Sequence, residues 1–165
     1  MSENSIQQKN ASRLVFVQAL YGTHFGIPVH SAEDWVSHYS EDRLSDMAVP
    51  ELEEDDHTEE LFELRHPTDP DFRFLRKLLR GWLEEKAAIE KQLTELLSGD
   101  EKRSFDRLSP LIQSILVAGS YELIHIGTKP PVVLKEYVAI AAGFFDNPEL
   151  GFINGTLQEI ARSLS

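Results

Sequence analysis

Cysteine is absent from the 165 residues, which excludes disulfides, thiolate metal centres and a cysteine nucleophile and suits a reducing compartment. No apolar run approaches the roughly 20 residues that a helix needs to span a bilayer. The start, Met1-Ser-Glu-Asn-Ser-Ile-Gln-Gln-Lys9, lacks the basic and apolar segments of a secretory signal. These absences predict a cytoplasmic protein. Catalytic signatures are missing as well: there is no G-x4-G-K-[ST], no G-x-G-x-x-G after a strand and no G-x-S-x-G. His24, His30, His38, His57, His66 and His125 show no H-x3-H or H-E-x2-H spacing on one helix, so no metal site or other cofactor is expected. The reading is a binding protein and not an enzyme.

Positive charge is scarce. Sixteen basic residues against 28 acidic ones give a net charge of −12, which disfavours phosphate contacts if spread evenly. It is not spread evenly. Residues 41–71 hold thirteen acidic and two basic side chains and so carry −11 of the −12, leaving the remainder close to neutral. The acidic pI describes one stretch and not the whole surface.

What is present is helical periodicity. A hydrophobic content of 41% in this length supports one cooperative domain. The expectation is a flexible arm over residues 1–10 and a single domain over 11–165 with an acidic loop at about 41–69. From Ala11 to Phe25, Leu14, Val15, Val17, Leu20 and Tyr21 recur at helical spacing until Gly22, Gly26 and Pro28 intervene. Ala19, Leu20 and Tyr21 are expected mainly in the core. Ser31 with Asp34 three residues on predicts an N-cap for a short helix carrying Trp35, Val36 and Tyr39, packed on the first. Glu53-Glu-Asp-Asp56 sits in a segment too charged to offset its ordering entropy, with a helical turn expected near Glu59 to Leu64. The apolar pattern from Phe72 to Leu97 predicts a long helix over about Pro70 to Ser98, with Gly81 allowing close packing. Ser109-Pro110 caps a helix through Ile124 that is apolar nearly all round and therefore central. Helices over Val132 to Phe145 and Glu149 to Leu164 follow. No segment alternates with period two, so the fold class is all-α: a compact bundle of about six or seven helices in two packed helical halves.

Four motifs lie on these helices in series: Arg13-x4-Gln18-Ala-Leu-Tyr21, Tyr121-Glu-Leu123, Pro131-x4-Glu136 and Phe152-Ile-Asn-Gly155-x-Leu157. In this order the chain resembles the NusB family of bacterial transcription antitermination factors over residues 11–25 and 71–165. Gly155 lies inside a helix, where glycine costs about 1 kcal/mol relative to alanine, and a close helix crossing there would account for it. Asn154 beside it is a polar group needing a partner.

The resemblance implies binding of boxA-type single-stranded RNA together with the ribosomal protein NusE, in a transcription elongation complex. It places Lys9, Arg13 and Gln18 of helix one at the RNA, with Lys129 and Lys135 as further cations. It offers Tyr21, Glu122, Glu136 and Asn154 to the protein partner. The family often carries basic residues where this chain has Gln113, Val117 and Ala142, which implies weak or partner-dependent RNA affinity. Two other readings stay open: a protein-interaction module that has lost most RNA affinity, and the RNA-binding accessory domain of an rRNA methyltransferase, which would need a second polypeptide beyond Ser165. A homodimer burying the helix-one face is also compatible with the sequence. His125 is expected to interact with helix carbonyls, and the acidic segment Glu51 to Glu63 could compete with RNA for the Lys9/Arg13 face.

Overall fold

The computed structural model of the protein describes residues 2–46 and 68–165, and among them every regular element is helical. Helix α1 spans Glu3–Thr23 and α2 Ala32–Asp46. Helix α3 spans Phe72–Leu96, α4 Pro110–Tyr121, α5 Pro130–Ala142 and α6 Asn147–Ser163. A 3₁₀ turn covers Phe105–Arg107, and α4 runs directly into a turn of π-helix over Glu122–Ile126. None of the described helices is long and apolar enough to cross a membrane.

The caps explain the boundaries. Ser31 accepts from the Asp34 amide at 3.1 Å and Asp71 from the Phe74 amide at 3.0 Å, each satisfying an amide that the first turn leaves without an intrahelical partner. Ser109 does the same for Ile112, with Pro110 at the first helical position. Helix α1 begins at Glu3, where the sequence suggests a flexible arm through residue 10, because Ser2 caps it by accepting from the Ser5 amide at 3.2 Å. Helix α2 takes in Glu41–Asp46, placed in the acidic loop by composition. The Glu53–Asp56 acids and the turn near Glu59 to Leu64 fall outside the described residues.

Helix α4 is the axis of the core. Every residue from Ser114 to Tyr121 is buried, and α1, α3, α5 and α6 surround it. Phe16 on α1 meets the edges of Trp82 on α3 and Tyr121 on α4, with ring centroids 6.4 Å and 6.1 Å apart, a favoured aromatic geometry. The expected close approach at Gly81 is present: a Cβ there would lie 1.7 Å from the Tyr121 hydroxyl oxygen. The crossing expected at Gly155 is not, since a Cβ at that position would meet no heavy atom within 4 Å. The tight crossing of α4 and α6 is at Gly119 instead, where a Cβ would come within 2.9 Å of Leu157. Helix α2 packs chiefly on α3 and not, as its sequence position suggests, on α1. Glu33 pairs with Arg80 across that contact.

Candidate nucleic-acid interface

The first polar cluster is interior. Arg13 on α1 is 4% exposed and Glu122, the first residue of the π turn, is 0% exposed. Their side chains form a two-pronged pair, Nε to Oε2 at 2.9 Å and Nη2 to Oε1 at 2.6 Å. Tyr137 on α5 donates its hydroxyl to Oε2 at 2.8 Å, and Thr128 donates to Oε1 at 2.9 Å. The remaining guanidinium nitrogen, Nη1, donates to Asn10 Oδ1 at 2.7 Å. Burial opposes the Arg13 charge, but the hydrogen bonds and attraction of Glu122, with Tyr137 and Glu136 adding to them, raise its pKa above the ordinary value. Burial, then the Glu122 charge and its hydrogen bond, push the Tyr137 hydroxyl well above the ordinary tyrosine range.

With the three guanidinium nitrogens, both Glu122 oxygens and the Tyr137 and Thr128 hydroxyls all engaged, this cluster suits positioning better than proton transfer. It ties α1, the π turn, the Thr128 loop and α5 together. The sequence-based assignments of Arg13 to RNA and of Glu122 to a protein partner are therefore corrected: both side chains are consumed inside the fold, because each buried charge requires the other. The partners Tyr137, Thr128 and Asn10 escaped the sequence reading, since nothing in their local spacing marks them.

Two cations flank the cluster. Lys9, one turn before Arg13, lies over the Phe74 ring with Nζ 5.5 Å from its centroid, and Arg13 shares that ring at 5.4 Å. Lys129, exposed next to Thr128, is the N-cap residue of α5. The Ser12 hydroxyl donates to the Asp71 carbonyl at 2.9 Å, and the Asp71 amide to the Gln8 carbonyl at 3.2 Å, fixing the Lys9 turn against the start of α3. Gln18 is exposed but lies nine residues from Lys9, about 180° around the helix, so it does not join this face. Lys135 is also exposed, and it is turned about 160° from Tyr137 and hence away from the cluster. Glu136 and Asn154 are half-buried on α5 and α6. Gln113 donates to the Phe105 carbonyl at 2.7 Å and Val117 is buried.

Gln18 belongs to a second face. It lies with Tyr21 on the last turns of α1, and Phe25 follows in the turn just past the helix; Tyr21 is 37% and Phe25 62% exposed and their rings meet edge to face at 4.9 Å. Ile27 is exposed beside them. Ala19 and Leu20 are buried as expected, whereas Tyr21 stands at the surface. His125 does not reach helix carbonyls; it stacks on Tyr121 at 5.3 Å and lies 3.8 Å from a Glu85 carboxylate oxygen. Among the described residues no group of three or more histidine or carboxylate side chains is placed to hold a metal.

Comparison with known proteins gives one consistent picture. The sequence profile of the NusB family matches residues 10–162. The chain is 34% identical to the transcription antitermination protein NusB of Rhodospirillum rubrum, covering 94% of this chain and 84% of that protein. It is 32% identical to NusB of Caulobacter vibrioides, covering 98% and 97%. The solved structure of T. maritima NusB superposes with a TM-score of 0.61 at 23% identity, over 93% of this chain and 90% of that one, and supports the fold.

Proposed function

The chain belongs to the NusB family, and on that premise we propose that it acts in transcription antitermination, binding boxA-type single-stranded RNA together with the ribosomal protein NusE. The observation that carries the RNA half is the Arg13–Glu122–Thr128 network. It fixes the Lys9 turn of α1 and the Lys129 turn before α5 to one buried carboxylate, so that cations distant in sequence have a rigid common base. Preorganised cations lose less freedom when they meet phosphates, which favours affinity. The protein half is supported by Tyr21, Phe25 and Ile27, an exposed apolar ridge of the kind that interface cores are made from. Glu136 and Asn154 are further candidates for that contact. The complex would act in the cytoplasm on elongating RNA polymerase.

Binding of a boxA oligonucleotide, measured with and without NusE between about 50 and 200 mM salt, tests this. Cooperative binding that weakens with salt and with Lys9→Ala or Lys129→Ala is expected. A wild-type protein that shows no RNA affinity under any of these conditions would refute it. A second reading, a partner-binding module without RNA affinity, is favoured by the buried Val117 and the tied-up Gln113, which offer no charge where the family resemblance expects it. NusE binding with no gain in RNA affinity would select that reading.

A further inference from the structure

Helix α3 carries a basic face that the charge totals conceal. From Phe72 to Leu83 the sequence has Arg73, Arg76, Lys77 and Arg80 and no acidic residue. Spacings of three, one and three residues place them within about 100° of one another around the helix, and all four are exposed. Arg80 pairs with Glu33 on α2. Among the described residues, Arg73, Arg76 and Lys77 pair with no carboxylate. In a chain of net charge −12 this is a positive stripe that, among the described residues, meets the Glu33 carboxylate at its Arg76–Arg80 end and forms no other ion pair. It also meets the Lys9 turn: Lys9 lies over Phe74, which neighbours Arg73 and stands one turn before Lys77.

We propose that this face of α3, with Lys9 at its edge, is a second track for the phosphates of single-stranded RNA. The inference rests on the RNA-binding reading and extends its surface from α1 onto α3. Charge without apolar content is what selects nucleic acid over protein as the occupant. None of the exposed large hydrophobic residues lies on the first half of α3, whereas protein interfaces have an apolar, charge-depleted centre. Phosphate tracking uses solvated arginine and lysine side chains and no apolar centre. From Arg73 to Arg80 the stripe extends about 10 Å along the helix axis, room for more than one phosphate. It supplies cations that the central helix lacks at Gln113 and Val117.

The test is a boxA oligonucleotide titration of the full chain with NusE across the same salt range, using Arg73→Gln/Arg76→Gln/Lys77→Gln. A charge-matched control, Lys91→Gln/Lys102→Gln/Arg162→Gln, removes three exposed cations elsewhere, and circular dichroism checks that both variants fold. Three lost phosphate contacts should flatten the slope of log K against log salt by about 2, at roughly 0.7 per contact for a single strand. Affinity at low salt should fall at least about tenfold, and the control should retain the wild-type slope. Equal effects of both variants, or a wild-type slope in the α3 variant, would overturn the proposal while leaving RNA binding by the protein intact. Lost NusE affinity with unchanged RNA binding would assign the stripe to the protein partner and also overturn it. A wild-type protein with no RNA affinity removes both this proposal and the reading beneath it.

Discussion

Arg13→Ala separates a structural arginine from an RNA ligand. Truncation leaves the Glu122 carboxylate, 0% exposed, with hydrogen bonds from Tyr137 and Thr128 but no counter-charge. Removing one member of a buried ion pair costs about 3–5 kcal/mol, a large share of the roughly 5–15 kcal/mol that holds a domain together. At about 2–4 °C per kcal/mol for a chain of this size, the midpoint should fall by about 6–20 °C. Replacing the pair by Arg13→Met/Glu122→Leu should cost less, about 1–3 kcal/mol, because no charge is stranded and the losses are the acceptor of the Tyr137 and Thr128 hydroxyls and the donor to Asn10. Urea unfolding of both variants beside Lys9→Ala measures this, with Lys9→Ala expected within about 1 kcal/mol of wild type, since it loses the contact over Phe74 but strands no buried charge. An Arg13→Ala protein as stable as Lys9→Ala would refute the buried pair and return Arg13 to the solvent. The comparison also governs how RNA data are read, since lost binding by Arg13→Ala would report a displaced α1 and not a lost phosphate contact.

Gly81→Ala should destabilise by about 1–3 kcal/mol in thermal unfolding, because its Cβ would collide with a Tyr121 ring held between Phe16 and His125. Gly155→Ala should do the opposite and stabilise by about 0.5–1 kcal/mol, since the position is helical and open. Tyr137 has its pKa raised in the folded state by burial and Glu122, so its contribution is complete below about pH 10 and is lost as pH rises further, when the unfolded chain ionises first. Chemical denaturation at pH 8, 9.5 and 10.5 should show that decline, and Tyr137→Phe should flatten it. Asp71→Ala removes the cap of α3 and should cost about 1 kcal/mol, read from the same denaturation curves.

The order and kind of the helices were legible in the sequence because periodicity, caps and breakers are local properties. Ser31, Asp71 and Ser109-Pro110 announce helix starts within a few residues of themselves, and the apolar run of α4 predicts a central position without reference to any neighbour. Gly81 was readable for the same reason, being an unfavourable residue in a helix that had to have a use. Gly155 shows the limit: the same logic put a crossing there, but the contact is made two residues further on, at Leu157 against Gly119.

What sequence left undecided is which charges face water. Arg13 and Lys9 sit four apart on one helix and look alike in a string of letters. Only the arrival of Glu122, 109 residues later, turns the first into an internal brace and leaves the second at the surface. The same holds for the −12: its location in residues 41–71 could be counted, while the basic face of α3 was defined once α2 was seen to claim Arg80 and, among the described residues, no carboxylate formed an ion pair with Arg73, Arg76 or Lys77. Helix type is set by short-range backbone geometry, which a sequence window contains. The pairing of a charge is set by what the rest of the chain brings to it, which no window does.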